Sequence, residues 1–362
     1  MDFLFLLEFS CGLHAIMFCF CRKQSWECSC AVGQAAEGER MQHILSADIG
    51  GTNSRFAWFE LGEKGLRHRD TIWLKTGEAS SFRDLLGNLV DSGFGMTPAS
   101  CDLGVMAVPA AVKGGKRAKP PNISWEIDAG NVDDLFARGS LLLINDFVAQ
   151  AFATKTRAVS GATLVKDGQA QEDATVAAVG AGTGLGHCAL VPDGCGGYVA
   201  VPAEAGHTAF AFYGPRELEL QSFLTKRTAK PYVYGDIVVS GRGLSLVHEF
   251  LTGQKLEPAA VSERSGPESE TTAWFARLYG RACRHYALSV LSLGGVFLAG
   301  GVAAKNPDLV MHSAFAKEFV HSPTYGYLLQ KIPVWLNANE DSGLWGAAYF
   351  GKLQLRSKSH GS

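Results

Sequence analysis

At 362 residues the chain exceeds what one hydrophobic core ordinarily organises, and at roughly 150 residues per domain it reads as two domains. Its 47% hydrophobic and 19% charged residues exclude a disordered chain, and its 42 dispersed glycines point to many tight turns and close backbone approaches. A formal net charge of -2 gives no broad attraction for nucleic acid or an anionic membrane, so a small-molecule partner fits better.

Residues 1–40 stand apart. Their apolar runs at 3–7 and 15–20 are interrupted by Glu8 and His14, and Arg22 and Lys23 follow the apolar part instead of preceding it as in a signal peptide. No stretch reaches the roughly 20 apolar residues of a membrane span. The expectation is an extension over 1–43 outside the fold, with translation starting at Met41; a peripheral anchor is the competing reading. Cys11, Cys19, Cys21, Cys28 and Cys30 all fall in this segment. Cys101, Cys188, Cys195 and Cys283 are scattered without a C-x-x-C pair, which speaks against a disulfide framework or structural zinc and for a reducing cytoplasm.

From residue 44 strands and helices alternate. A strand over 44–49, a glycine turn and a strand over 55–60 form a hairpin; a helix follows, with Ser80 or Ser81 as N-cap, apolar residues at helical spacing and Gly93 as its stop. A strand over 103–108 comes next. The unbroken apolar run 141–144 reads as a buried strand ending in Asn145-Asp146, ahead of a helix from Phe147. A second hairpin, 175–179 and 188–191, then repeats the first about 130 residues on, which implies two similar domains with a ligand between them. Helices over 244–251 and 271–293, a strand over 296–299 ending in Gly300-Gly301, a helix opened by Pro307, a strand over 334–336 and a helix over 344–354 complete the chain. Residues 257–270, rich in Ser, Glu, Pro and Gly, read as a surface loop, and the basic stretch 113–119 as a solvated one.

Two constellations point to phosphate chemistry. In the first, 48–55 (DIGGTNSR), Gly50 and Gly51 let amides approach phosphate oxygens, Thr52 and Asn53 add donors, and Asp48 suits a hydrated Mg²⁺; an ordinary hairpin turn is the alternative. The second, 180–186 (GAGTGLG), carries Gly182, Thr183 and Gly184 between two strands. It lacks the lysine of a P-loop and the acidic ribose partner of a Rossmann unit. Together the two turns suggest a two-jawed phosphate clamp.

The ordered set resembles the bacterial glucokinase family, within the actin, hexokinase and chaperone ATPase superfamily, over residues 44–351. The segments 48–55 and 180–186 resemble the superfamily's two phosphate motifs, and 295–302 (GGVFLAGG), with Gly300 and Gly301, its adenosine segment. Leu143-Ile144-Asn145-Asp146-Phe147 is similar to the family's strand bearing the catalytic aspartate, and 202–207 (PAEAGH) to its sugar-binding P-G-E-G-G-H stretch.

The resemblance implies an α/β fold of two actin-like (ribonuclease H-like) domains with a nucleotide and sugar cleft between them. The small domain would span 44–155, completed by the helix at 341–356, and the large domain 156–340. It implies phosphorylation of the glucose 6-hydroxyl by ATP and Mg²⁺, the entry step of glycolysis; glycine loops alone would also serve polyphosphate as donor, and the adenosine-like segment favours ATP. Asp146 would be the general base, and Asn145, Glu204, His207 and Asp236 would hold the other hydroxyls. The partners implied are a sugar and ATP, with neither nucleic acid nor membrane, and a homodimer is compatible. Asn145-Asp146 also suits a helix N-cap, and Glu204 and His207 a salt-bridged loop pair. The chain departs from the pattern at Asp236, where the family usually places a glutamate one methylene longer, and at Ala203 and Ala205, which replace glycines. Rival readings are a hexose kinase of the repressor and kinase (ROK) type and a non-catalytic actin-like or sugar-sensing protein. After His207 the next cysteine is Cys283, alone, against the ROK zinc cluster.

Overall fold

The computed structural model describes residues 40–359, and the expectations for residues 1–39 lie outside them. Three antiparallel strands open the described residues, β1 (Gln42–Ile49), β2 (Asn53–Gly62) and β3 (Gly65–Lys75). Helix α1 (Phe82–Asp91) is started by Ser81, whose hydroxyl accepts the Asp84 N–H while the Asp84 carboxylate accepts the Ser80 N–H, and it buries a stripe of Phe82, Leu85, Leu86 and Leu89. β4 (Leu103–Val108) returns parallel to β1 and is buried along its whole length, as a strand covered on both faces must be.

The basic stretch belongs to a small antiparallel sheet of β5 (Val112–Lys113), β6 (Arg117–Ala118) and β7 (Ile127–Asp128). Lys113, Lys116 and Lys119 are exposed and Arg117 pairs with Asp128 at 2.8 Å. The Gly115 carbonyl accepts the Leu143 N–H and thereby covers the open edge of β8 (Ser140–Asn145), from which α2 (Asp146–Ala153) departs.

The second half contains β9 (Thr163–Lys166), β10 (Val176–Ala181), β11 (Leu185–Pro192) and β12 (Tyr198–Ala203), then α3 (Pro215–Thr228), α4 (Gly235–Val238) and α5 (Gly241–Thr252). α6 (Pro258–Arg264) corrects the loop expected at 257–270: Pro258 opens a short helix and Val261 anchors it with no exposed surface. α7 (Glu270–Val290), β13 (Val296–Ala299), α8 (Gly301–Lys305), α9 (Asp308–Met311), α10 (Ser313–Phe319), α11 (Gly326–Leu329), β14 (Val334–Leu336) and α12 (Ser342–Ser359) follow. Among these described residues no helix is long and apolar enough to cross a membrane.

The repeat read from the sequence extends to the whole topology. The first sheet runs β3-β2-β1-β4-β8 and the second β12-β11-β10-β13-β14-β9, so each places its third, second, first, fourth and fifth strands in the same order, with β9 added at one edge. In both, the opening hairpin is antiparallel and the later strands join in parallel. Along β1, Leu45, Ala47 and Ile49 pack outward with α1, whereas Ile44 packs inward with Val148, Phe152, Leu344 and Ala348 of α2 and α12. That inner core also takes Val176, Ala178, Cys188 and Leu190 from the second sheet, so the two helices lie between the sheets. A third core backs the second sheet with α5, α7 and α10. The fold class is thus the α/β one expected, two sheet-centred halves with the cleft residues gathered where they meet.

Candidate active site

The pleat of β1 delivers Asp48 to the inner layer at the carboxyl end of the strand. The turn after it is held from its carbonyl side: the Gly50 N–H donates to the Asn53 carbonyl at 3.1 Å, the Thr76 hydroxyl to the Gly50 carbonyl at 2.7 Å, and the Thr76 N–H to the Thr52 carbonyl at 3.0 Å. A Cβ on Gly50 would lie 2.7 Å from the Asn53 oxygen, which excludes any side chain there. Asp48, Gly50, Thr52 and Asn53 of the first half and Gly300, Gly301, Ala304 and Lys305 of the second line one cavity of about 430 Å³. Gly300 has φ +87, and a Cβ on it would fall 2.6 Å from the Ala181 carbonyl, so glycine is what lets β13 turn past β10 into α8. Gly51 is exposed beside Asn122, outside this wall.

A second cavity of about 370 Å³ brings Asn145 and Glu204 together, with Ala111, Gly115, Val148 and Pro202. Asn145 does two things at once. Its Oδ1 accepts the Phe147 N–H at 2.9 Å and caps α2, while Nδ2 donates to the Ala110 carbonyl at 3.3 Å, so the capping role and the place in the cavity wall coexist. His207 and Asp236 are outside the lining of this cavity but next to Glu204: the His207 Nε2 lies 3.9 Å from Glu204 and 3.8 Å from Asp236, and its ring 5.4 Å from that of Tyr234. Asp236 spends Oδ1 on the Leu185 N–H at 2.9 Å and fits between two glycines. A Cβ on Gly206 would fall 2.2 Å from it and one on Gly184 2.7 Å.

Part-buried Asp146 begins α2 and stands in the lining of neither cavity, although its neighbour Asn145 lines the smaller one. Burial first, then the Asp48 charge, push the Asp146 carboxyl up to about 7, with Glu204 adding to the effect and the Phe147 N–H at 3.0 Å opposing it. Asp146 therefore senses a carboxylate from each cavity wall.

The second glycine turn divides its labour. Gly180 and Gly186 are cross-strand partners inside β10 and β11; the Phe147 ring fills the space of a side chain at Gly186, and at Gly180 the Ala299 carbonyl, 2.4 Å from a Cβ, excludes one first, with the ring tip next at 2.9 Å. Gly182, Thr183 and Gly184 form the turn itself. The Gly182 N–H donates to Gly184 and its carbonyl accepts the Gly241 N–H, Thr183 is exposed, and none of the three stands in the wall of either cavity.

Residues without an expected role also enter the site. Arg55 bonds Asp48 at 2.5 Å, Trp73 lies beside Arg55, and Gln150 bonds Ser342 at 2.7 Å; these four line the larger cavity together with Asp48. The signal for Arg55 was available: a tight turn between Asp48 and Arg55 places opposite charges on facing strand positions.

The glucokinase family model matches residues 45–354. A glucokinase of Pseudomonas aeruginosa (strain LESB58) is 30% identical over 324 residues, 84% of this chain and 92% of its own. Among solved structures, a glucokinase from an Antarctic psychrotroph superposes with a TM-score of 0.73 at 25% identity, covering 85% of this chain and 98% of that one. A ROK family glucokinase from Streptomyces griseus, in complex with glucose and AMPPNP, shares the fold with a TM-score of 0.51 at 18% identity, over 85% of this chain and 98% of that one. A match that runs through both sheets and both cavity walls places this chain in the glucokinase family.

Proposed function

We propose that this protein transfers the γ-phosphoryl group of ATP to the 6-hydroxyl of glucose, with Asp146 as general base. The observation that carries the reading is the surroundings of Asp146: it starts α2 next to Asn145 of the smaller cavity's wall, and its carboxyl is raised to about 7 by burial, then by Asp48 of the larger cavity and Glu204 of the smaller one. A base of that strength is about half ionised at neutral pH, where it serves proton abstraction best. The larger cavity would take the nucleotide, with the turn at Gly50–Asn53 on the phosphates and Gly300-Gly301 near the adenosine; Gly182–Gly184 would approach the phosphates from the other half on closure. The smaller cavity would take the sugar, ringed by Asn145, Glu204 and His207, with Asp236 behind them. As the sugar oxygen attacks phosphorus, its proton passes to an Asp146 oxygen and the bond to the ADP oxygen breaks.

Asp48 suits the metal expected with ATP. One of its oxygens bonds Arg55, and no group of three or more His, Cys, Asp or Glu side chains suited to a metal occurs among the described residues, so phosphate oxygens and water would supply the remaining ligands. Mg²⁺ bound there would neutralise charge on the transferring phosphoryl group. On this reading residues 44–155 with 341–356 form one domain and 156–340 the other, an actin-like pair that closes on its ligands, in a cytoplasmic enzyme at the entry to glycolysis.

The test is a coupled assay of purified protein with MgATP against glucose, fructose, mannose and N-acetylglucosamine. Glucose is expected to be preferred, and Asp146→Asn to lose about 10² to 10⁴ in kcat. A variant that keeps more than about a tenth of wild-type turnover would remove Asp146 from the chemistry, and preference for another hexose would remove glucose.

A further inference from the structure

Asp48, Arg55 and Trp73 are successive cross-strand neighbours on β1, β2 and β3, and all three line the larger cavity. The Arg55 guanidinium, with only 13% of its side chain exposed, bonds the Asp48 carboxylate at 2.5 Å through Nη2 and donates through Nη1 to the Glu340 carbonyl, with Asp341 at 3.8 Å. Its carbon stands 5.0 Å from the centre of the Trp73 ring, which is half exposed at the rim. Glu340 lies on the segment that leaves β14 of the second sheet and enters α12. One planar fork thus bonds a carboxylate on the first sheet and a backbone carbonyl on the connection from the second, a span for which guanidinium is suited and ammonium is not.

We infer that Arg55 is a positioning residue for the nucleotide: it holds the Asp48 carboxylate at a fixed reach and sets the width of the phosphate end of the cavity. The inference rests on the nucleotide reading of that cavity. Two observations support it over a purely architectural strut. Asp48 brings a negative charge into the wall of a space that must accept a triphosphate, with Asp341 close behind it, and Arg55, itself in that wall, lies against both carboxylates. Its bond to Asp48, moreover, is made by the oxygen Oδ2 alone, so the pair orients the carboxylate toward the cavity without consuming it.

Isothermal titration of full-length protein with MgADP, with ADP in excess chelator and with glucose tests this, alongside thermal melting. Arg55→Met is expected to weaken MgADP binding about 10- to 100-fold, the loss of a charged hydrogen bond, and to shrink the advantage of MgADP over free ADP, with glucose affinity retained. Arg55→Lys should melt close to wild type yet keep the weakened metal preference, since one ammonium does not bridge both partners. Trp73→Leu should give a smaller loss in the same direction. Wild-type MgADP affinity and metal preference in Arg55→Lys, or equal losses for glucose and nucleotide, would overturn the inference. Should Arg55→Met fail to fold, Arg55→Lys and Trp73→Leu carry the test. A wild-type protein that binds no nucleotide would instead overturn the kinase reading itself.

Discussion

The ring of Phe147 occupies the space that a side chain at residue 186 would need: a Cβ there would fall 2.0 Å from the ring carbons, and one on the facing Gly180 2.9 Å from the ring tip. Phe147 directly follows Asp146, so this seat on the second sheet fixes the start of α2. Gly186→Ala is expected to cost about 1–3 kcal/mol through overpacking and to lower kcat as Asp146 shifts. Phe147→Leu should recover part of both losses, with a coupling of about 0.5–3 kcal/mol between the two sites in urea denaturation. Strictly additive effects would mean that the ring and the glycine do not act on each other.

The contrast between these glycines and the rest of the motif shows what sequence patterns conveyed. β4, β13 and β14 were legible because continuous apolar runs bounded by polar or glycine residues define buried strands. β3 and β12 escaped notice: they are outer strands whose mixed polar and exposed positions, such as Arg67, Arg69, Val199 and Val201, carry no clear alternation. α6 was hidden by its Pro and Ser content, although Val261 anchors it. In the site, Asn145-Asp146 announced itself as a polar pair ending an apolar strand. The outer glycines of 180–186 did not reveal their purpose, because a glycine that admits an aromatic ring reads the same as one that admits a phosphate.

On the proposed mechanism Asp146 ties activity and stability to pH in opposite senses. Its folded-state carboxyl is raised from the ordinary 3.8 to about 7 by burial and then by Asp48, so the folded protein favours the protonated form. Stability is unaffected by this group below about pH 4, declines as pH rises between the two values, and levels off above about 7. Base catalysis needs the ionised form and should rise over the upper part of that window. Asp146→Asn is therefore expected to melt higher than wild type, by more at pH 8 than at pH 5, while lacking the rise in kcat/KM through pH 7. Melting curves at the two pH values check the sign, and a wild type that is the more stable at pH 8 would contradict it.

Arg281, whose side chain is fully buried, bonds Glu217 and Glu318, which are 5% and 6% exposed, and so joins α7 to α3 and α10. Burial alone would raise the Glu318 carboxyl, but bonds and charge from Arg281, followed by Tyr213 and Arg284, hold it below the ordinary carboxylate range. A depressed carboxylate stabilises the fold above its unfolded pKa, and that contribution disappears as pH falls through the folded one. Arg281→Met leaves two buried carboxylates with one remaining arginine each, Arg277 on Glu217 and Arg284 on Glu318. The expected cost is about 3 kcal/mol in urea denaturation at pH 7, at the lower end for a broken buried pair. The deficit should narrow toward pH 4.

At residue 236, where the resemblance to the glucokinase pattern leads one to expect a glutamate, the surroundings suit the shorter aspartate. A glutamate would carry the carboxylate about 1.5 Å further, but the present group already bonds the Leu185 N–H at 2.9 Å and fills the space between Gly184 and Gly206. The extra methylene has to displace the turn that carries Glu204 and His207, or release Leu185 at the edge of the second glycine turn. Asp236→Glu is thus expected to raise the KM for glucose about tenfold, an effect of the size overpacking produces. Asp236→Asn keeps both the shape and the acceptor for Leu185 and should stay closer to wild type. If the glutamate variant bound glucose as well as the parent or better, residue 236 would be reaching for the sugar itself, and the glycines around it would be yielding instead of fixing its length.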